Sequence, residues 1–215
     1  MINSKSSSQL ILAVSKGRIF SETVKLLKKA SIHLEDYSKG SRRLFFNTNL
    51  ENLVILVVRA TDVPTYVEYG AADIGITGKD VLLEHSSDEF YEPLDLGISK
   101  CKMMVAGLIG KTILSRRPKV ATKYPKVAFD YFAAKGTQVE IIKLYGSMEL
   151  APLVGLAEQI VDLVDTGNTL KANGLEPKEL ICEISSRLII NKASMKVKYL
   201  RISSLINKLR KVSQV

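Results

Sequence analysis

Short apolar runs alternate with amphipathic stretches along the first part of the chain. The apolar runs have the length of a buried strand and lie at residues 9–14, 53–58 and 73–77. Each is followed by apolar residues at helical spacing, in stretches 18–30, 62–69 and 79–84. Gly70 is placed to end the second of these helices. Strands that alternate with helices in this way predict an α/β fold with a mostly parallel sheet.

The same alternation begins again near Lys102. Strands are predicted at residues 103–109, 119–121, 137–143, 159–164 and 179–190, and helices at residues 124–134, 148–154 and 168–173. A further amphipathic helix is predicted at the end of the chain, with apolar residues at Ile202, Leu205, Ile206 and Leu209.

Two α/β lobes around a central cleft are the predicted architecture, because the chain is long enough for two small domains. We expect the chain to cross between the lobes near Lys100 and again near Ile189. The first lobe then comprises residues 1–101 and 189–215, and the second comprises residues 102–188. Ligands of such sheets settle at the carboxyl ends of parallel strands, so the cleft is the predicted binding site.

The net charge of +9 indicates either a polyanionic partner or simply a soluble basic surface. Much of the excess lies near the end of the chain, at Lys192, Lys196, Lys198, Arg201, Lys208, Arg210 and Lys211. The tail helix is therefore either a solvated basic face or a face that docks a partner. No helix-turn-helix signal, RNA-binding motif or interleaving of aromatic and basic residues stands out, so a nucleic-acid partner is not predicted.

A cytoplasmic location without a membrane partner is the expectation from the apolar pattern. No apolar run approaches the roughly 20 residues that a membrane-spanning helix needs. The apolar stretch at residues 10–14 is too brief for a signal peptide. The two cysteines and two histidines have neither the spacing of a metal site nor that of a catalytic triad, so protein ligands of a metal remain unknown.

The strongest chemical signal lies at residues 160–170, where an apolar strand runs through Asp162 into a turn that opens a helix. The turn contains Asp165, Thr166, Gly167, Asn168 and Thr169. Glycine lets the backbone approach a phosphate closely, and the start of a helix supplies N–H groups and a positive dipole end. Carboxylates accept hydrogen bonds from ribose hydroxyls, so the segment predicts a phosphoribosyl-binding loop. An ordinary strand–turn–helix with Thr166 as N-cap is the alternative.

Two turns in the first lobe are candidate anion sites. Lys16-Gly17-Arg18 follows the first strand, where the guanidinium of Arg18 could clamp a pair of phosphate oxygens. Thr77-Gly78-Lys79-Asp80 opens a helix but is not a P-loop, because Asp73 and Asp80 occupy the positions of the first glycine and of the magnesium-binding hydroxyl. A solvated arginine and a structural turn are the alternatives at these two places.

With these motifs in place, the chain resembles the ATP phosphoribosyltransferase family. The family signature is met, with every spacing kept, by Glu149, Gly155, Ala157, Ile160, Asp162, Thr166, Gly167, Thr169 and Leu170. Further matches lie at residues 15–18, 59–68, 72–80 and 121–124. The resemblance therefore runs from about residue 9 to the tail, and it implies a two-lobed fold of the periplasmic-binding-protein type II.

The resemblance implies the first reaction of histidine biosynthesis, in which ATP and phosphoribosyl pyrophosphate give phosphoribosyl-ATP and pyrophosphate. Adenine N1 attacks the anomeric carbon with inversion, through an oxocarbenium-like transition state. Such chemistry depends on aligning two polyanions and neutralising the leaving group more than on acid–base catalysis. This agrees with the residues, which show no acid–base constellation.

The resemblance also implies site residues. Phosphoribosyl pyrophosphate is expected at Glu149, Asp162, Asp165, Thr166, Gly167, Asn168 and Thr169, although the signature leaves the position of Asp165 unspecified. ATP is expected at Lys16, Gly17, Arg18, Asp73, Thr77 and Gly78. Arg18 is also the candidate catalytic residue, which stabilises the departing pyrophosphate. Mg²⁺ is expected to accompany the pyrophosphate-bearing substrate, with few protein ligands.

The length of the chain implies the short form of the family, which lacks a C-terminal regulatory domain. Short members work with a separate regulatory subunit that resembles histidyl-tRNA synthetase. We therefore expect a homodimer inside a hetero-octamer. A non-catalytic two-lobed protein that binds or senses a small anion is the alternative, because fold alone does not establish turnover.

Overall fold

The computed structural model describes residues 9–38, 40–112 and 115–213. The chain forms two compact units. The first contains the residues up to Ser99 and those from Ser185 onwards, and the second contains Lys100–Ile184.

Eleven strands and eight α-helices are present in the described ranges, together with a 3-10 turn at Ala60–Asp62. The first part of the chain forms β1 (Leu10–Ser15), α1 (Arg18–Lys29), β2 (Phe45–Asn47), β3 (Leu53–Val58), α2 (Val63–Glu68), β4 (Ile74–Gly78), α3 (Lys79–Glu84) and β5 (Phe90–Asp95). The second unit forms β6 (Cys101–Leu108), β7 (Lys119–Thr122), α4 (Pro125–Ala134), β8 (Glu140–Lys143), α5 (Leu150–Leu153), β9 (Gln159–Val164), α6 (Asn168–Ala172) and β10 (Leu175–Ile184). The last part forms β11 (Ser186–Asn191), α7 (Lys192–Val197) and α8 (Tyr199–Val212). No helix in these ranges has both the length and the apolar character needed to span a bilayer.

The first unit is built on a six-stranded sheet in the order β2-β3-β1-β4-β11-β5. Strands β3, β1 and β4 are parallel, and the other pairings are antiparallel. Leu12 and Val14 of β1 pack in one hydrophobic cluster with α1 and α8, whereas Ala13 packs in a second cluster with α2 and α3. Successive side chains of a strand point to opposite faces, so a strand covered on both faces must be apolar at nearly every position.

Glycine is needed in β4 because α2 lies directly against the strand. A Cβ atom at Gly75 would lie 2.7 Å from Val63 Cγ1, 2.8 Å from Val67 Cγ2 and 2.9 Å from Ile189 Cγ1. Those side chains are buried in the core of the first unit, so they have little room to move. The absence of a side chain at Gly75 therefore sets how closely the helix approaches the sheet.

The second unit is built on a five-stranded sheet in the order β10-β6-β9-β7-β8. Strands β9, β7 and β8 are parallel, while β6 is antiparallel to both of its neighbours. Ile160, Ala121 and Ala106 come together in its core with Met148 and Leu170. These buried apolar side chains contribute on the order of 1.5–3 kcal/mol each for a residue of the size of leucine.

The α/β class predicted from the sequence is confirmed. The parallel strands of the structure, which are β1, β3 and β4 in one sheet and β7, β8 and β9 in the other, alternate with helices along the chain. Both sheets are mixed, however, because β5, β6, β10 and β11 run antiparallel to their neighbours. An apolar run does not encode the direction of its strand, so the pattern could not distinguish these cases.

Four elements differ from the prediction. The single strand expected at residues 179–190 is two strands that separate at Ser185. The chain passes between units at Ser99/Lys100, near the expected Lys100, and at Ile184/Ser185, a few residues before the expected crossing near Ile189. The single tail helix is two helices joined at Lys198, where φ is −115°. Strands β2 and β5 were not predicted. The first has only three residues, and the second is a sheet-edge strand that contains Pro93 and shows little burial.

The two final helices are tied to the sheet by the buried carboxylate of Asp73, which is only 1% exposed. Its Oδ2 accepts a hydrogen bond from the backbone N–H of Ile11 (2.9 Å), and its Oδ1 accepts one from Ser194 Oγ (2.7 Å). Lys198 Nζ lies 2.9 Å from both carboxylate oxygens and also donates to Gln9 O at 2.5 Å. A buried charge needs such partners, so the cluster joins β1, the start of β4 and the tail helices.

We predict that Asp73→Asn lowers the free energy of unfolding by about 3–5 kcal/mol, because it leaves the Lys198 ammonium buried without its counter-charge. Urea unfolding measures the change. Asp130→Asn, in the exposed Lys126–Asp130 pair, is the matched control and should change stability by less than about 1 kcal/mol. Equal effects of the two variants would contradict a structural role for Asp73.

Candidate functional site

The turn between β9 and α6 has the backbone conformation of an anion-binding loop. Gly167 has φ 77° and ψ 0°, in the left-handed region that favours glycine, and it directly precedes the helix. Thr166 Oγ1 accepts a hydrogen bond from the N–H of Asn168 (3.4 Å), and Gly167 O accepts one from the N–H of Lys171 (3.0 Å). The first N–H groups of a helix have no partner within the helix, so they can bind an anion.

A small cavity of about 170 Å³ surrounds this turn. It is lined by Glu149, Asp162, Leu163, Val164, Asp165, Thr166, Gly167, Asn168, Thr169 and Leu170. The structure thus brings together all seven residues at which the sequence predicts phosphoribosyl pyrophosphate. The volume is below the roughly 300 Å³ at which whole-ligand pockets begin, so the cavity suits one part of a larger substrate.

The two sides of the cavity are held by buried apolar side chains. Met148, 2% exposed, precedes Glu149, and Leu170, 5% exposed, follows Thr169. Both belong to the same hydrophobic cluster of the second unit. Glu149 and the loop are therefore positioned by one core, although they lie on different elements.

The lining side chains of this cavity carry three carboxylates, from Glu149, Asp162 and Asp165, and neither lysine nor arginine. Asp162 Oδ1 accepts a hydrogen bond from the backbone N–H of Leu163 at 2.8 Å. Peptide N–H groups, hydroxyls and the side-chain amide of Asn168 are accordingly the lining groups that can donate to an anion, whereas the carboxylates suit hydroxyl groups or a metal ion.

A second group of predicted residues lies at the carboxyl ends of parallel strands in the first unit. Lys16, Gly17 and Arg18 follow β1, and Gly78 ends the adjacent strand β4. Lys16, Gly17 and Arg18 are exposed. Gly17 has φ 95°, so the chain turns sharply between the strand and α1.

The guanidinium of Arg18 is bonded by Glu22, which lies four residues further along the same helix. Its Nε donates to Glu22 Oε1 at 2.9 Å, while Glu22 Oε2 accepts from the N–H (2.5 Å) and the hydroxyl (3.0 Å) of Ser99. Burial raises the pKa of the Glu22 carboxyl, but hydrogen bonds from Arg18 and Ser99 outweigh it, so the pKa lies below its usual range. The carboxylate form of Glu22 is thus favoured beside the guanidinium.

Two residues that the sequence assigned to ATP occupy structural positions instead. Asp73 lies at the amino end of β4, at the opposite end of the strand from Gly78, and its oxygens bind Ile11, Ser194 and Lys198. Thr77 is fully buried. Its hydroxyl donates to Ala60 O (3.1 Å) and lies 3.0 Å from Ser15 Oγ. The family resemblance suggested both residues for the ATP site, but a motif match does not show which way side chains point.

Two basic residues that were not predicted as site residues, although they lie in the matched segments 59–68 and 121–124, also follow parallel strands, one in each unit. Arg59 directly follows β3 and is exposed, and Lys123 directly follows β7 beside β9 and is half-buried. Each comes immediately after the last residue of a parallel strand. That position is the signal that could have identified them, because parallel strands end at one edge of the sheet.

Comparison with known proteins identifies the family of the chain. The family model described as "HisG: ATP phosphoribosyltransferase" matches residues 59–211. The ATP phosphoribosyltransferase of Teredinibacter turnerae is 60% identical over 201 residues, which are 93% of this chain and 94% of that protein. That of Chromohalobacter salexigens is 59% identical over 204 residues, again 94% of each chain.

Solved structures give the same family and a wider fold relationship. The ATP phosphoribosyl transferase (HisG:HisZ) complex from Thermotoga maritima superposes with a TM-score of 0.82 at 37% identity, covering 95% of this chain and 98% of that one. The periplasmic aliphatic sulphonate binding protein SsuA from Escherichia coli covers 97% of this chain and 69% of its own, with a TM-score of 0.62 at 13% identity. The second likeness concerns the fold alone and agrees with the predicted type II class. The chain therefore belongs to the ATP phosphoribosyltransferase family.

Proposed function

We propose that the cavity at the start of α6 holds the 5-phosphate and ribose of phosphoribosyl pyrophosphate during the reaction of this family. In that reaction the phosphoribosyl group passes to N1 of the adenine of ATP and pyrophosphate is released, which is the first step of histidine biosynthesis. The convergence of seven motif residues on one cavity, from α5, β9 and α6, carries the proposal. A family without this activity would have no need to place them together.

Two kinds of group line the cavity, and each binds a different part of the substrate. Peptide N–H groups, the hydroxyls of Thr166 and Thr169 and the side-chain amide of Asn168 donate to the phosphate, because the backbone N–H of Asn168 already bonds to Thr166 Oγ1. Asp162, Asp165 and Glu149 accept hydrogen bonds from the ribose hydroxyls. Their negative charge also stabilises the positive charge that develops on the sugar ring as the pyrophosphate leaves.

The first unit binds ATP, which is the second polyanionic substrate. Lys16 and Arg18 lie at the carboxyl end of β1, where Gly17 allows the backbone to approach a phosphate chain, and Gly78 ends the adjacent strand β4. The fork of Arg18 matches a pair of phosphate oxygens and stabilises the departing pyrophosphate. We retain Lys16, Gly17, Arg18 and Gly78 in this role and assign Asp73 and the Thr77 hydroxyl to the structure.

Magnesium fits the donor set of the phosphoribosyl cavity, because carboxylate oxygens are the ligands that Mg²⁺ prefers. In the described ranges, no three His, Cys, Asp or Glu residues are grouped so as to hold a metal ion. We therefore propose that the ion arrives with the pyrophosphate-bearing substrate and that Asp162, Asp165 or Glu149 supplies at most one or two ligands. The ion neutralises pyrophosphate charge, which the lining of the cavity does not do.

A regulatory subunit resembling histidyl-tRNA synthetase is the proposed partner, in a hetero-octamer that contains homodimers of this chain. The complex from Thermotoga maritima, described as HisG:HisZ, is the observation that supports it. We also propose that the reaction takes place in the cytoplasm. Because the chain belongs to this enzyme family, the alternative of a non-catalytic anion-binding protein is not favoured.

Incubation of the chain with ATP, phosphoribosyl pyrophosphate and Mg²⁺ should give phosphoribosyl-ATP and pyrophosphate. The new nucleotide is detected by mass, with pyrophosphatase added to draw the reaction forward, and the regulatory subunit is added in a parallel reaction. A reaction without Mg²⁺ is the control. Binding of both substrates without product in either reaction would favour the sensing alternative.

Gly167→Val should abolish measurable binding of phosphoribosyl pyrophosphate, because a β-branched residue at φ 77° distorts the loop. Calorimetric titration measures the affinity. Gly136→Val is the matched control, since Gly136 has φ 67° in the second unit and does not line the cavity. Both variants should lose about 1–2 kcal/mol of stability from the strained backbone. Loss of binding in both, or in neither, would remove the loop from the site.

Arg18→Ala should lower turnover by about 100-fold or more while weakening substrate binding much less, because its charge acts on the leaving group. Steady-state kinetics separate kcat from KM. Arg18→Lys should restore only part of the rate, since an ammonium lacks the two-pronged geometry of the guanidinium. An unchanged kcat in Arg18→Ala would exclude this arginine from the mechanism.

A further inference from the structure

The Arg18 guanidinium needs a means of orientation, because its side chain is 53% exposed and follows a glycine at φ 95°. A long exposed side chain samples many rotamers, and catalysis that depends on charge placement is sensitive to small displacements. Whatever limits those rotamers contributes to the reaction without touching substrate. The contact that does so is the 2.9 Å hydrogen bond from Arg18 Nε to Glu22 Oε1.

Bonding through Nε has a geometric consequence. The guanidinium is planar, so a carboxylate fixed at Nε sets the plane of the group and the direction of its two terminal nitrogens. These terminal nitrogens are the pair that can grip two oxygens of one phosphate group.

The carboxylate of Glu22 is anchored at its other oxygen. Oε2 accepts hydrogen bonds from both the N–H and the hydroxyl of Ser99, at 2.5 and 3.0 Å. An isolated pair four residues apart on a helix surface contributes little and orients weakly. With both oxygens bonded, the carboxylate has one preferred position, and the depressed pKa of Glu22 is consistent with that bonded, charged state.

Ser99 is itself a fixed point of the backbone. It is a non-glycine residue with φ 52°, and it is the last residue of the first unit before the chain enters the second. The segment before it is pinned by the hydrogen bonds from Gly97 N to Asp95 Oδ1 (2.9 Å) and from Ser186 N to Ile98 O (3.0 Å). Glu22 therefore spans from α1 to a rigid part of the crossover.

We propose that Glu22 is a positioning residue that orients the guanidinium of Arg18 by holding it against the crossover at Ser99. This inference rests on the proposed role of Arg18 in neutralising the leaving pyrophosphate. It adds a residue that no part of the phosphoribosyl or ATP motif contains. Glu22 touches no substrate; its effect on the reaction passes through Arg18.

The test is a double-mutant cycle on the full chain, in complex with its regulatory subunit if turnover requires one. Glu22→Gln keeps the size and one hydrogen-bond acceptor but loses the charge and the second strong acceptor. It should lower kcat by about tenfold with little change in the KM of either substrate. In the Arg18→Ala background the same substitution should cause no further loss, because the group that it orients is gone.

Ser99→Ala tests the anchor separately. It removes the hydroxyl bond and keeps the backbone N–H bond, so it should lower kcat by a smaller factor of about two to three. Asp130→Asn, which breaks an exposed pair of the same spacing in α4, is the matched control and should leave kcat unchanged. Thermal unfolding of every variant identifies any loss that comes from stability alone.

The outcomes separate this proposal from the one on which it rests. Full turnover in Arg18→Ala would overturn both. An impaired Arg18→Ala with a fully active Glu22→Gln would overturn the role of Glu22 and leave that of Arg18 intact. A Glu22→Gln loss that is undiminished in the Arg18→Ala background would assign Glu22 a structural role independent of Arg18, which also contradicts the proposal.

Discussion

The buried carboxylate of Asp73 is the contact on which the first unit depends. It binds the backbone of β1, precedes β4, and holds Ser194 and Lys198 of the tail. Burying a carboxylate and an ammonium together is costly unless every oxygen and proton has a partner. Here both carboxylate oxygens are bonded, and the ammonium also binds Gln9 O. The helix α8 is thereby placed so that Ile202, Leu205 and Leu209 pack on the sheet.

This ion pair lies at the amino ends of β1 and β4, whereas the predicted ligand residues lie at the carboxyl ends of the same two strands. The amino ends of β1 and β4 are occupied by charges that satisfy each other, so they offer nothing to a ligand. At the carboxyl ends of the same strands, Lys16, Arg18 and Gly78 lie in turns that open helices. In the second unit, the turn between β9 and α6 lies between the apolar core, which holds Leu170, and the cavity lined by Asp162 and Gly167.

Much of this could be predicted from the sequence, and the failures have physical causes. The strand β9 and the helix α3 have the predicted bounds, because an apolar run between polar turns fixes both. The cavity at the start of α6 brings together the seven residues predicted for phosphoribosyl pyrophosphate: those at 162–169 converge by local geometry, whereas Glu149 came from the family resemblance. Asp73 and Thr77 were predicted at the ATP site, but their side chains bond to partners that are far away in sequence. Neither Lys198 nor Ala60 could be connected to them from spacing. Glu22 was missed for the same reason, as Ser99 lies 77 residues further along the chain.

The strand β11 lies between β4 and β5, yet it is made only after the whole second unit. A nascent chain that ends before Ser186 therefore has β4 with one unpaired edge, and its β5 has no neighbour in the sheet. Lys198 is also still missing, so Asp73 has no ammonium partner at that stage. On the ribosome, the second unit can fold as an insertion while the first waits for its final thirty or so residues. The order of synthesis thus makes the first unit the later of the two to receive all of its strands.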